Sequence, residues 1–196
     1  LILGNHDQSR PFGKGSLLKE GIPLCEGLVV QQRETGQEVL VVHGHQADFQ
    51  YDPGMIFSRL GVRYFWRSLQ QRGYWRNPNW TEMATGRSWP GRVMARGMLN
   101  RNKVVEALCL DWLVRSTVEG QAAVGGAPAL LTGHTHQARF AAPGEPAYYN
   151  TGCCIVPGQI TGLELCEGQL SLIKWTAKDG AKREFLAGPR PLSHLL

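Results

Sequence analysis

The chain has 196 residues, about the size of one domain, with 42% apolar and 19% charged residues, a composition that excludes wholesale disorder. No apolar run approaches the roughly 18 residues that cross a bilayer, so an integral membrane protein is not expected. The net charge of +5 is concentrated: positions 59–103 carry ten basic residues and one acidic residue, Glu82, which leaves the remainder mildly acidic.

In chain order, apolar runs predict strands at Leu1–Leu3, Leu28–Val30, Val39–Val42, Ala129–Leu131, Gly162–Leu165 and Leu170–Trp175. Arg33–Gln37 and Glu167-Gly168 read as hairpin turns joining neighbouring runs. One helix is expected over about Met55 to Arg72. A second is expected over about Arg101 to Ser116, with Asn100 or Asn102 as its cap and Val104, Val105, Leu108 and Trp112 as its apolar stripe. Asn77-Pro78-Asn79 and Trp89-Pro90-Gly91 read as breakers. Leu1–Leu3 reads as the end of a strand that begins upstream, which makes the chain a fragment in this reading. Strands mixed with helices indicate an α/β or α+β class.

The five cysteines, Cys25, Cys109, Cys153, Cys154 and Cys166, form no C-x-x-C pair and no regular framework. They are expected to be mostly buried thiols in a reducing, cytoplasmic compartment.

Five of the six histidines fall in three loops, each after a short apolar strand. Gly4-Asn5-His6-Asp7 follows Leu1–Leu3, His43-Gly44-His45-Gln46 follows Val39–Val42, and Gly133-His134-Thr135-His136 follows Ala129–Leu131. The carboxyl ends of strands are where open α/β sheets hold ligands. In an extended chain His134 and His136 face the same way and reach one spot, or two neighbouring ions. Imidazoles with an asparagine oxygen suit a divalent ion that activates water.

G-N-H-D, then H-G-H after a strand, then G-H-T-H, resembles the calcineurin-like metallophosphoesterase family, in a bacterial branch. Tyr148–Cys154, Ile160–Leu165 and Ile173–Trp175 add to the likeness, which runs through most of the chain. The resemblance implies a four-layer α/β/β/α sandwich around two divalent metal ions (manganese, iron or zinc) that hydrolyse a phosphate ester. It implies that Asn5, His43 and His134 bind the second metal and His136 the first. His6 would be the catalytic histidine and Asp7 its orienting partner. His45 has no assigned part and is either behind the ligands or a plain loop residue. Asn150 and Thr151 would support the floor of the site.

The chain departs from the family pattern at its start. The family opens with Asp-x-His and Gly-Asp motifs, and neither stands before Leu1; Asp48 and Asp52 lie in the wrong place to replace the bridging aspartate. The chain is therefore expected to be the C-terminal portion of one such domain over 1–196, lacking its first strands and helices and inactive alone.

Residues 49–103 read as a basic, aromatic-rich helical insert, with Arg59, Arg63 and Arg67 as one helical stripe that draws in the anionic substrate. Arginines interleaved with Tyr64, Trp66, Trp75 and Trp80 suit phosphate-bearing partners. Two further partners follow from that composition. One is nucleic acid, bound by a catalytically inactive module through the insert. The other is a membrane surface, with the tryptophans at headgroup level. Monoester against diester, and the oligomeric state, are not encoded in these motifs.

Overall fold

A computed structural model of the chain describes residues 2, 4, 21, 25–33, 36–48, 84–118, 129–154, 156, 158–177 and 180–194. The helix expected over 55–72 and the strand at Leu1–Leu3, apart from Ile2, lie outside those residues. Eight strands and two helices are named among the described residues: β1 Gly27–Gln31, β2 Glu38–Val42, α1 His45–Asp48, α2 Trp89–Val118, β3 Ala129–Thr132, β4 Ala138–Phe140, β5 Tyr148–Thr151, β6 Gln159–Cys166, β7 Gln169–Thr176 and β8 Lys182–Pro191. A 3-10 turn at Leu192–His194 follows β8.

Five strands form one sheet in the order β1-β2-β3-β5-β4. Its centre is parallel, β2 beside β3 and β3 beside β5, and its edges β1 and β4 are antiparallel to their neighbours. The β1–β2 hairpin closes where the sequence placed it, with Gln32 N donating to Gln37 O at 2.9 Å and Gly36 N to Gln32 O at 2.9 Å. The other sheet is the meander β6-β7-β8, and Glu167 and Gly168 turn between its first two strands, both at positive φ.

Strand alternation distributes the core over two faces. Val39, Ala129 and Tyr149 look to one side, where they pack with Ala141, Leu170 and Leu192. Leu40, Val42, Leu130 and Tyr148 look to the other, where they meet Val105, Cys109 and Leu113 of α2. The described residues thus form a mixed α/β arrangement: one long helix, the five-stranded sheet and the three-stranded sheet. The four-layer expectation includes a further helical layer that is not among them.

The second helix corrects four expectations. It starts at Trp89, twelve positions before Arg101. Ser88 caps it, its Oγ accepting from Gly91 N at 3.4 Å and its carbonyl from Arg92 N at 2.9 Å. Pro90 stands in the first turn, where a missing N–H leaves no bond unmade, so Trp89-Pro90-Gly91 opens a helix rather than breaking one. Asn102 caps nothing and is buried in mid-helix. The buried stripe is Ala95, Asn102, Val105, Cys109 and Leu113, while Val104 and Trp112 are half exposed; the apolar side chains of this helix do not all fall on one face. The helix also runs through position 103 without a break.

The thiols are corrected too. Of the five cysteines Cys109 alone is buried, and Cys154 and Cys166 are exposed. The strand β8 carries no apolar alternation that would announce it, because an edge strand of a meander tolerates the Lys182-Arg183-Glu184 run and Pro189. No described helix is long and apolar enough to cross a membrane.

Candidate functional site

The site grows from the carboxyl ends of β2 and β3. Because these strands run parallel and in register, the loops that leave them emerge side by side. Gly133 N donates to His43 O at 3.1 Å, which ties the two loops together at the backbone. The His43 and His134 rings then lie 5.2 Å apart between centroids, at 62° to each other. His45 opens the single turn α1 and is buried, with its ring 5.2 Å from that of His43 and 6.4 Å from that of His134. The turn itself is fixed by Gln46, whose Oε1 accepts from Gly44 N at 3.0 Å and whose Nε2 donates to Glu26 O at 3.0 Å.

A third loop reaches the same place. A Cβ added to Gly4 would stand 2.9 Å from His43 Nε2. Only glycine lets that backbone lie so close to the ring. Gly4 is the residue before Asn5, and Asn5, His6 and Asp7 fall outside the described residues, as do Arg59, Arg63 and Arg67.

The Gly-His-Thr-His loop is not extended. His134 has φ 66° and His136 φ 57°, so both sit in the left-handed region, at a cost of roughly 1–2 kcal/mol per residue for a side chain with a Cβ. The inference that residues two apart face one way therefore does not apply. His134 turns inward, whereas His136 is exposed and joins none of the three ring pairs. Hydrogen bonds from neighbouring elements hold the loop. Asn150 Nδ2 donates to Gly133 O at 2.7 Å and lies 3.2 Å from Thr135 Oγ1, and Asn102 Nδ2 of α2 donates to Thr135 O at 2.8 Å. Beneath them Thr132 Oγ1 donates to Tyr148 Oη at 3.0 Å.

Asp48, set aside at the sequence level, is the missed residue. Its Oδ2 accepts from His134 Nε2 at 2.8 Å and from Arg101 Nη2, and its Oδ1 from Arg101 Nε at 3.2 Å. Burial pushes the Asp48 carboxyl up, but the hydrogen bonds from His134 and Arg101 and the charge of Arg101 outweigh it and leave it below the ordinary carboxylate value. Asp48 is therefore an anion at neutral pH. Sequence alone held one usable hint: Asp48 ends the polar run that leaves β2. Nothing local points to Arg101, which comes 53 positions later.

As a test of metal fit, the donor types are right: two imidazoles within reach of one another, one of them backed by a carboxylate, as metal-binding histidines usually are. Yet no three His, Cys, Asp or Glu side chains among the described residues are placed to hold an ion. The described residues alone do not make up a metal centre.

No protein-family model matches the chain, and no curated protein sequence matches it. Among solved structures, the chain is similar to wild-type Vps29 of Entamoeba histolytica, crystallised with zinc, at 16% identity and TM-score 0.32 over 83% of this chain. It is also similar to a single mutant of the same Vps29, at 14% identity and TM-score 0.33 over 89% of this chain. The chain spans 61% and 67% of the length of those two proteins. TM-scores this low do not establish a shared fold.

Proposed function

We propose that this chain supplies the histidine half of a metal-dependent phosphate-ester hydrolase, with its site at the carboxyl ends of β2 and β3. The observation that carries the reading is the meeting of three loops. His43 and His134 stand ring against ring, and Gly4 brings the start of Gly-Asn-His-Asp onto the Nε2 edge of His43. These are the three motifs on which the resemblance to calcineurin-like metallophosphoesterases rests.

In this reading His43 and His134, with Asn5, would hold one divalent ion, and His136 would serve a second. When bound, such ions polarise the phosphoryl group and activate water. The chain's own work is to hold the substrate and manage its protons. His6 would contact the phosphate and protonate the leaving oxygen, and Asp7 would hold the His6 ring in line. Arg59, Arg63 and Arg67 would attract the anionic ester, an assignment supported by their spacing of four. Arg101 belongs to the same basic excess but is paired with Asp48, so the insert's charge is not all free for a partner.

The test is calorimetric titration of the purified chain with Mn²⁺ and Zn²⁺, followed by hydrolysis of p-nitrophenyl phosphate and its bis ester. At least one ion should bind per chain, and His43→Ala and His134→Ala should each weaken it by tenfold or more, on the order of one lost hydrogen bond or ligand. Metal binding indifferent to both substitutions would sink the reading. Salt-sensitive binding of oligonucleotides by a chain that takes up no metal would favour the nucleic-acid module instead.

A further inference from the structure

We propose, resting on the phosphoesterase reading, that Asp48, braced by Arg101, is a positioning residue for His134. It fixes the ring proton on Nε2 and leaves Nδ1 as the lone-pair atom with which His134 would bind an ion.

The geometry argues this in three steps. An ionised carboxylate only accepts hydrogen bonds, so the 2.8 Å contact with Asp48 Oδ2 requires that His134 Nε2 be the donor. An imidazole binds an ion through the nitrogen that carries no proton, so with Nε2 donating to Asp48 the atom left for an ion is Nδ1. Neither partner is loosely held: the His134 and Asp48 side chains are 11% and 9% exposed, and the Arg101 fork engages both Asp48 oxygens. Arg101 comes from α2 and Asp48 from α1, so two helices converge on one ring of the β3 loop. The neighbouring Asn102 adds a second tie from α2 to the same loop, at Thr135 O. With its far nitrogen clamped, His134 would meet an ion through the nitrogen nearer its own backbone. The left-handed conformation at His134 sets that backbone in place.

Two readouts on the full chain test the proposal. The first is the two-bond ¹H–¹⁵N spectrum of the histidine rings at about pH 9, where imidazoles are neutral, without metal. His134 should show a protonated Nε2 and a bare Nδ1, and Asp48→Ala should relax the ring toward the tautomer mixture of a free histidine. The second is Zn²⁺ titration, in which Asp48→Ala should bind about 10–100-fold more weakly. Arg101→Met should weaken binding by less while keeping the carboxylate, so it remains informative if Asp48→Ala fails to fold. A wild-type ring protonated on Nδ1 overturns the proposal, as does unchanged Zn²⁺ affinity in both variants. A wild-type chain that binds no Zn²⁺ overturns the hydrolase reading and the role of Nδ1, while a protonated Nε2 would still uphold the grip of Asp48 on the ring.

Discussion

Asn102 donates from its side chain to the backbone oxygen of Thr135 at 2.8 Å, a bond between two buried residues 33 positions apart. A polar side chain on the inner stripe of a helix is costly to bury unless it is satisfied, and here the satisfied group is the loop that carries His134 and His136.

Asn102→Leu should therefore cost about 1–3 kcal/mol, because it leaves Thr135 O buried without this donor. Urea denaturation measures the loss. Amide exchange should show it concentrated at 133–137, and a protection pattern unchanged there would mean that the bond does not hold the loop.

The phase of α2 gives a sharper contrast. Val105 is 3% exposed and Val104 50%. Val105→Ala should cost about 2 kcal/mol, from two buried methyl groups and the space they leave. Val104→Ala should stay within about 0.5 kcal/mol. Equal effects on the denaturation midpoint would mean that the helix is rotated from this position.

Gly152 links β5 to the second sheet at φ 79°. An added Cβ would overlap Thr161 Oγ1 and stand 2.9 Å from Ala138 Cβ. Thr161 Oγ1 accepts from Cys153 N at 2.7 Å, so it cannot step aside freely. Gly152→Ala should cost about 2 kcal/mol or more, from backbone strain and overpacking together. A thermal midpoint equal to that of the wild type would contradict this.

Burial, and then the charge of Glu106, raise the Cys109 thiol to about 11 from an ordinary 9.0. The folded state thus keeps its proton where the unfolded state has lost it. The stabilisation this represents is complete below about pH 9 and disappears as pH rises through about 11. Cys109→Ala should lack that alkaline loss when denaturation is followed across the same window. Thiol reagents near neutrality should label exposed Cys154 and Cys166 and spare Cys109 until the chain unfolds.

Much of the sheet was legible because β-branched and leucine runs such as Val39–Val42 have few other uses. The loops that follow were legible because histidine beside glycine rarely serves packing. The β5 strand, Tyr148–Thr151, carries two tyrosines and an asparagine whose burial depends on both layers at once, so no periodicity announces it. The start of α2 is not legible from Trp89-Pro90-Gly91 alone, because proline breaks a helix only beyond its first turn. The phase of α2 was misread because the buried set includes Asn102, whose partner is remote in sequence. Asp48 was set aside for the same kind of reason: its importance lies in its contact with His134, 86 positions away. The loops themselves are legible in the sequence, whereas the left-handed backbone of His134 and His136 comes only from the structure.

The strand β2 must satisfy two different requirements. Its residues alternate between the helix side and the sheet side, so a chain longer by one residue would exchange the two faces and bury nothing correctly. A chain longer by two would keep every side chain in its layer, yet carry His43 forward by roughly 6.6 Å, more than the 5.2 Å that separates its ring from that of His134. The core checks whether the count is odd or even, and the site checks the count itself. Length variation should therefore be tolerated in the β1–β2 turn, at the far end from the histidines, and not between Glu38 and His43.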